Sequence, residues 1–311
     1  MTGLKKISNM KKTMKHNKPL VSVIIPVFNG ATYLIEAVNS VVKSTYKNIE
    51  VLLVDDGSKD TSTQLCHMLE KKYKNVHFYS FKKNKGLGRT LNFAIKKAKG
   101  TYICRLNQDD VMKSERIATQ VAYFESHPEV VACGSWINMF EDKKNQTIKF
   151  LETDEQIKKI WLIISPFADP SVMYRKTAVI RAGLYKQEFW PGDDTHLWYR
   201  LGMIGKLANI QKVLVNVRYH EGAASVKYFR NLNDATFRMH RWAHKNVQKA
   251  SLGIQLFWII QYVLGALFSA NFNWKAYRIM KGCLNFFTKK KAKKTIKKVA
   301  IQPRMFSFSG K

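Results

Sequence analysis

Four short apolar runs, at residues 21–27, 49–54, 76–81 and 102–106, alternate with segments at 33–45, 61–73 and 90–98 in which apolar residues recur at helical spacing. That alternation predicts a parallel sheet with helices on both faces, since strands apolar along their whole length need cover above and below. The expected fold class is therefore α/β, Rossmann-like, with a mostly parallel sheet flanked by helices. Ligands in such sheets gather beyond the carboxyl ends of the strands. Here those ends carry Asp55-Asp56-Gly57-Ser58 and Asn107-Gln108-Asp109-Asp110. Phe28-Asn29-Gly30 follows the first run where a dinucleotide fingerprint would need GxGxxG, and the sequence has no phosphate-cradling P-loop. A bound diphosphate would then call for a metal held by carboxylates.

The 311 residues include 53 Lys+Arg against 22 Asp+Glu, a formal charge of +31, yet 46% are hydrophobic. That hydrophobicity excludes a disordered polycation. The excess sits at the ends: residues 1–20 hold six Lys and residues 235–311 hold 16 Lys+Arg, with no acid in either stretch, so the body at 21–234 carries +9. Basic ends around an ordinary body predict attraction to a polyanion, either nucleic acid or an anionic membrane face. The cysteines, Cys66, Cys104, Cys133 and Cys283, show no metal-ligand spacing, which predicts a reduced, cytoplasmic chain. No secretory signal is read, because the first apolar stretch is interrupted by Pro26.

Several blocks in a fixed order carry a resemblance: Val21-Ser22-Val23-Ile24-Ile25-Pro26-Val27-Phe28-Asn29, Val54-Asp55-Asp56-Gly57-Ser58, Asn84-Lys85-Gly86-Leu87, residues 105–110 and 166–175, and residues 193–198 with Arg218-Tyr219-His220. Together they resemble the family 2 glycosyltransferases of the GT-A fold, over roughly residues 19–225. The chain divides accordingly into a basic tail (1–18), a GT-A domain (19–230) and a helical, basic, membrane-associating extension (231–311). The resemblance implies inverting transfer of a sugar from a nucleoside diphosphate donor to a hydroxyl of a glycan or lipid-linked saccharide, in assembly of a surface polysaccharide or lipopolysaccharide of the cell envelope.

It also implies roles. Pro26 and Phe28 resemble the wall against which the nucleotide base packs, and Asp56, with Asp55 beside it, is similar to the acid that accepts a base N–H. On the residues alone, Asp55-Asp56-Gly57-Ser58 serves equally well as a turn that caps the next helix. Asn107-Gln108-Asp109 stands where the family has Asp-x-Asp; Asp109 resembles the ligand of Mg²⁺ or Mn²⁺, and Asn107, one charge short, is expected on the ribose. Asp110 reads as the cap of a helix at 112–124. Asp194 resembles the catalytic base, with Asp193 as the neighbour able to replace it. His220 is similar to the histidine that completes the metal or diphosphate site. The family often has histidine where Asp169 stands, so acceptor contacts are expected to differ. Trp136, Trp190 and Trp198 offer faces for sugar stacking, burial being the commoner fate of tryptophan.

From residue 251 to 274 there is no charge, and residues 252–268 could marginally span a bilayer. Gly253, Gln255, Gln261, Gly265 and Ser269 gather on one side of a helical wheel, and both flanks are basic, which favours a helix lying in the interface over one that crosses. A helix packed on the catalytic domain is the plain alternative. The polybasic run at 289–298 favours an anionic membrane. The expected place of work is the cytoplasmic face of the membrane, with peripheral attachment and no nucleic acid. The rival readings are a basic nucleic-acid-binding protein and a transferase-like fold without catalysis.

Overall fold

The computed structural model describes residues 18–141, 144–220 and 227–268. The first half runs β1 (Val21–Val27), α1 (Leu34–Val42), β2 (Ile49–Asp55), α2 (Ser62–Lys72), β3 (Val76–Ser80), α3 (Leu87–Lys97) and β4 (Tyr102–Arg105). It continues with β5 (Val111–Met112), α4 (Arg116–Ser126), β6 (Val130–Glu141), β7 (Lys144–Ile148), α5 (Asp154–Ile160), β8 (Met173–Arg175), α6 (Lys176–Arg181), α7 (Asp193–Ile204), β9 (Lys206–Arg218), α8 (Phe229–Asn246) and α9 (Leu252–Leu267).

Among the described residues the strands form one sheet in the order β3-β2-β1-β4-β8-β6-β9-β5, with β7 on the flank of β6. β3, β2, β1 and β4 are parallel, β8 runs against both of its neighbours, and β6 and β9 are parallel again. The expected α/β class with a mostly parallel, helix-covered sheet is what the chain forms. β1 and β2 are buried at every position, and alternate residues serve opposite faces: Val21, Val23, Ile25 and Val27 meet α1 and α4, while Ile24 packs toward α3 and α7.

The expected helix at 112–124 is a correction. Val111–Met112 is drawn into the sheet against β9, Lys113 N–H donates to Leu214 O at 2.9 Å, and the helix begins only at Arg116. Asp110 therefore caps no helix.

The described part of the C-terminal segment lies on the body. Met239, Ala243, Ala250 and Trp258 join the core on the α7 face, and Trp258 Nε1 donates to Leu162 O at 2.7 Å. No helix among the described residues is long and apolar enough to cross a membrane. Cys66, Cys104 and Cys133 are buried free thiols. Cys283 and the run at 289–298 lie outside the described residues.

Candidate active site

Beyond the carboxyl ends of β1 and β4 opens a cavity of about 1330 Å³, lined by Pro26, Phe28, Asp56, Asn107, Asp109, Asp169, Asp194 and His220 among others. Phe28 presents 41% of its surface there. Gln108, for which the sequence suggested no task, fixes that ring's backbone: Phe28 N–H donates to Gln108 Oε1 at 2.8 Å and Gln108 Nε2 donates to Phe28 O at 3.1 Å.

The paired acids after β2 have parted. Asp55, the last strand residue, turns inward, where Ser58 N–H and Oγ donate to its Oδ1 at 3.0 and 2.6 Å and Thr63 Oγ1 donates to its Oδ2 at 2.6 Å. It does not line the cavity, so its side chain is spent on the turn; it caps no helix, the Ser62 N–H at the start of α2 donating to Asp60 Oδ1 at 3.0 Å instead. Asp56 does line it, and accepts Lys85 N–H at 2.7 Å and Gly86 N–H at 2.9 Å, which aims the carboxylate across the start of α3. The turn that follows them needs Gly57, whose φ is 77° and whose added Cβ would lie 2.8 Å from Asn84 N and from Lys83 C. Gly57→Ala is expected to cost at least about 1–2 kcal/mol, read as a lower midpoint in thermal unfolding, because it combines left-handed strain with a backbone clash.

Asp109 Oδ2 lies 2.9 Å from His220 Nε2. The approach is set by Arg218, whose backbone N–H donates to Asp110 Oδ1 at 2.9 Å, whose Nε donates to Asp109 O at 3.2 Å, and whose Nη2 meets Glu36 Oε2 at 2.6 Å. Asp110 is thereby an internal clasp, and burial followed by the charge of Asp109 pushes its carboxyl up to about 8. Asn107 Oδ1 accepts Arg105 Nη2 at 2.8 Å and its Nδ2 donates to Asp110 Oδ2 at 2.9 Å, so both ends of the amide are occupied. Among the described residues no three His, Cys, Asp or Glu side chains gather as a metal cage. Asp109 and His220 are two donors, a number that suits a hard cation completed by substrate phosphate oxygens and water.

The opposite wall is the first turn of α7. Asp194 faces the cavity; burial, then the charge of Asp169, raises its carboxyl to about 7, against the pull of the helix N-terminus. Asp193 is buried outside the cavity lining, its Oδ2 has no partner, and burial, then Asp194 and Asp169, raises it to about 8. Asp169 Oδ2 is 3.0 Å from Arg105 Nη2, and the wholly buried Arg105 thus joins the two walls by holding Asn107 and Asp169 at once. Arg105 and Asp169 are far apart in the chain, and nothing in the sequence pairs them. Of the three tryptophans, Trp190 lines the cavity; Trp198 is fully buried and Trp136 is spent on Phe150 O at 3.2 Å.

A protein-family model described as Glycosyl transferase family 2 matches residues 22–183. An uncharacterized glycosyltransferase of Rickettsia typhi is 32% identical over 225 residues, 67% of this chain and 67% of its own. The amylovoran biosynthesis glycosyltransferase AmsE of Erwinia amylovora is 30% identical over 208 residues, covering 64% of this chain and 76% of its own. Among solved structures, S. aureus TarS 1–349 in complex with UDP-GlcNAc superposes with a TM-score of 0.64 at 19% identity over 81% of this chain and 74% of that one. Mannosyltransferase PcManGT from Pyrobaculum calidifontis, in complex with GDP-Man and Mn²⁺, gives 0.61 at 15% identity over 93% and 87%. At these identities the structures speak to the fold.

Proposed function

The chain belongs to glycosyl transferase family 2, and from that premise we propose that it moves a sugar from a nucleoside diphosphate donor to an acceptor hydroxyl with inversion, in assembly of a surface polysaccharide of the cell envelope. The observation that carries this reading is one cavity with two unlike carboxylates. Asp109 is tied to His220, and Asp194 on another element holds its proton near neutral pH. Inversion needs a leaving-group side and a base side, and a base titrating near the working pH is the efficient one.

Phe28 with Pro26 supplies an apolar wall for a base, Asp56 an acceptor for its N–H, and Asn107 a neighbour for the ribose. Asp109 and His220 would hold a divalent cation, Mg²⁺ or Mn²⁺, which when bound neutralises diphosphate charge. Asp194 takes the acceptor's proton. Complexes of structural neighbours with UDP-GlcNAc and with GDP-Man and Mn²⁺, and the polysaccharide role in the name of a 30% identical relative, support this donor class, cation and product class. The acid-free basic segments support peripheral attachment to the anionic inner face of the membrane.

The test is release of nucleoside diphosphate from a panel of UDP- and GDP-sugars by the full chain, with Mn²⁺, with Mg²⁺ and with chelator. The expected result is turnover of one donor that falls at least tenfold with chelator and in Asp109→Ala. No turnover or binding of any donor under any of these conditions would overturn the proposal.

A further inference from the structure

The cavity extends past its carboxylates. Its volume of about 1330 Å³ is above the ~300–1,000 Å³ usual for a small-ligand pocket, and its far wall is α8 and α9, through Leu232, Met239, Phe257, Ile260 and Leu264. α9 is seated by Trp258, which stacks on His240, and by Gly265, where a Cβ would lie 2.4 Å from Asn233 Oδ1. Asn233 Nδ2 in turn donates to Tyr262 O at 2.8 Å. With that side fixed to the body, the opposite side carries Leu252, Leu256, Ile259, Ile260, Val263 and Leu267 outward, from 83% exposed at Leu252 to 73% at Leu267. Their spacing by three and four makes one stripe along the helix. Ile260 and Leu264, 49% and 41% exposed, belong to the stripe and to the cavity lining alike.

One apolar surface therefore runs from beside the catalytic wall to the outside of α9. We propose that it holds the hydrocarbon of the acceptor, which is a lipid-linked saccharide whose tail leaves the cavity past Ile260 and Leu264 toward the bilayer. This rests on the transferase reading and names its acceptor class. A membrane lipid chain fits better than the other apolar occupants because of charge. α8, beside the stripe, exposes Arg230, Arg238, Arg241 and Lys245 against the single acid Asp234. Symmetric pairing with a second copy would bring two such sets together, and residues 269–311, with 12 Lys+Arg and no acid, are repelled by the same set. Anionic headgroups complement it. Gln261, whose Oε1 has no partner, stands where the lining passes from polar to apolar and offers an acceptor to a headgroup hydroxyl.

The experiment titrates the full chain with methyl, octyl and dodecyl β-glucoside below micelle-forming concentrations, followed by tryptophan fluorescence, with UDP and GDP binding measured in parallel. Octyl is expected to bind at least tenfold tighter than methyl and dodecyl tighter again, because each buried methylene contributes. Ile260→Asp and Leu264→Asp, at exposed positions and checked by thermal unfolding, should erase the gain. Leu252→Asp and Leu256→Asp, on the stripe but outside the cavity, should keep the gain and reduce flotation with phosphatidylglycerol vesicles. Affinity independent of chain length, or a gain that survives in Leu264→Asp, would overturn the proposal. So would a dimer that Leu256→Asp disperses while the parent shows no gain. Nucleotide binding without a chain-length gain sinks the apolar arm alone; a chain-length gain without nucleotide binding or donor turnover leaves a lipid site and sinks the transferase reading.

Discussion

Asp194→Asn lowers kcat by about 100- to 10,000-fold while nucleoside diphosphate affinity stays within about twofold, the range expected when a general base is removed and the donor half is left intact. The same base gives the parent an acid limb. Burial and Asp169 hold the Asp194 carboxyl up to about 7, so the ionised, proton-accepting form is lost as pH falls through 7, well above an ordinary carboxylate. kcat/KM against pH should bend near 7, and the bend should vanish in the variant. Asp193→Asn is expected to change kcat less than tenfold, because that carboxylate lies outside the cavity lining. Equal losses in the two variants would remove Asp194 from the role.

Stability separates this from misfolding. Asp193 and Asp194 bind protons more tightly in the folded chain than in the unfolded chain, where carboxylates titrate near pH 4, so they weaken the fold as pH rises from about 4 through about 8. An amide at 194 relieves part of that. Asp194→Asn should therefore melt no lower than the parent at pH 8, with strain kept for function rather than for folding.

How much of this the sequence displayed depends on the range of the interaction. The apolar runs that became β1, β2 and β4 were legible because strand burial is written in consecutive residues, and acids at strand ends were placed correctly at the mouth of the sheet. Adjacent acids were not separable. Asp55 ends β2 on the side of Leu53, toward α2, and Asp56 sits one residue beyond, so a single step of pleat decides which of these two buried acids meets the cavity. Asp110 was misread because its partner, the backbone of Arg218, is 108 residues away. On α9 a nearly uninterrupted apolar run held too little polar contrast to show its orientation. The body turned out to cover the side with Gln255, Gln261 and Gly265, the side the wheel marked as polar, and to leave the aliphatic side outward.

The Arg105–Asp169 pair was hidden for the same reason, and its removal has the largest expected effect on the fold. Arg105 has no exposed surface; Nη1 donates to Leu106 O at 2.7 Å and Nη2 to Asn107 Oδ1, while its buried Nε has no partner. Asp169→Leu leaves that guanidinium buried without its counter-charge, beside the equally buried Arg116, and should cost about 3–5 kcal/mol in denaturant unfolding. Combining Asp169→Leu with Arg105→Met removes both charges, and the double variant should recover to within about 1 kcal/mol of the parent, a coupling of at least about 2 kcal/mol. If the double variant is no more stable than the worse single one, the pair does not hold the walls together. Activity should not follow stability back. Arg105 only donates, so it fixes which end of the Asn107 amide points toward it, and without it the segment from Asn107 to Asp109 loses its anchor. A double variant that folds well and still turns over poorly would show that the buried pair is kept for the geometry of the donor wall.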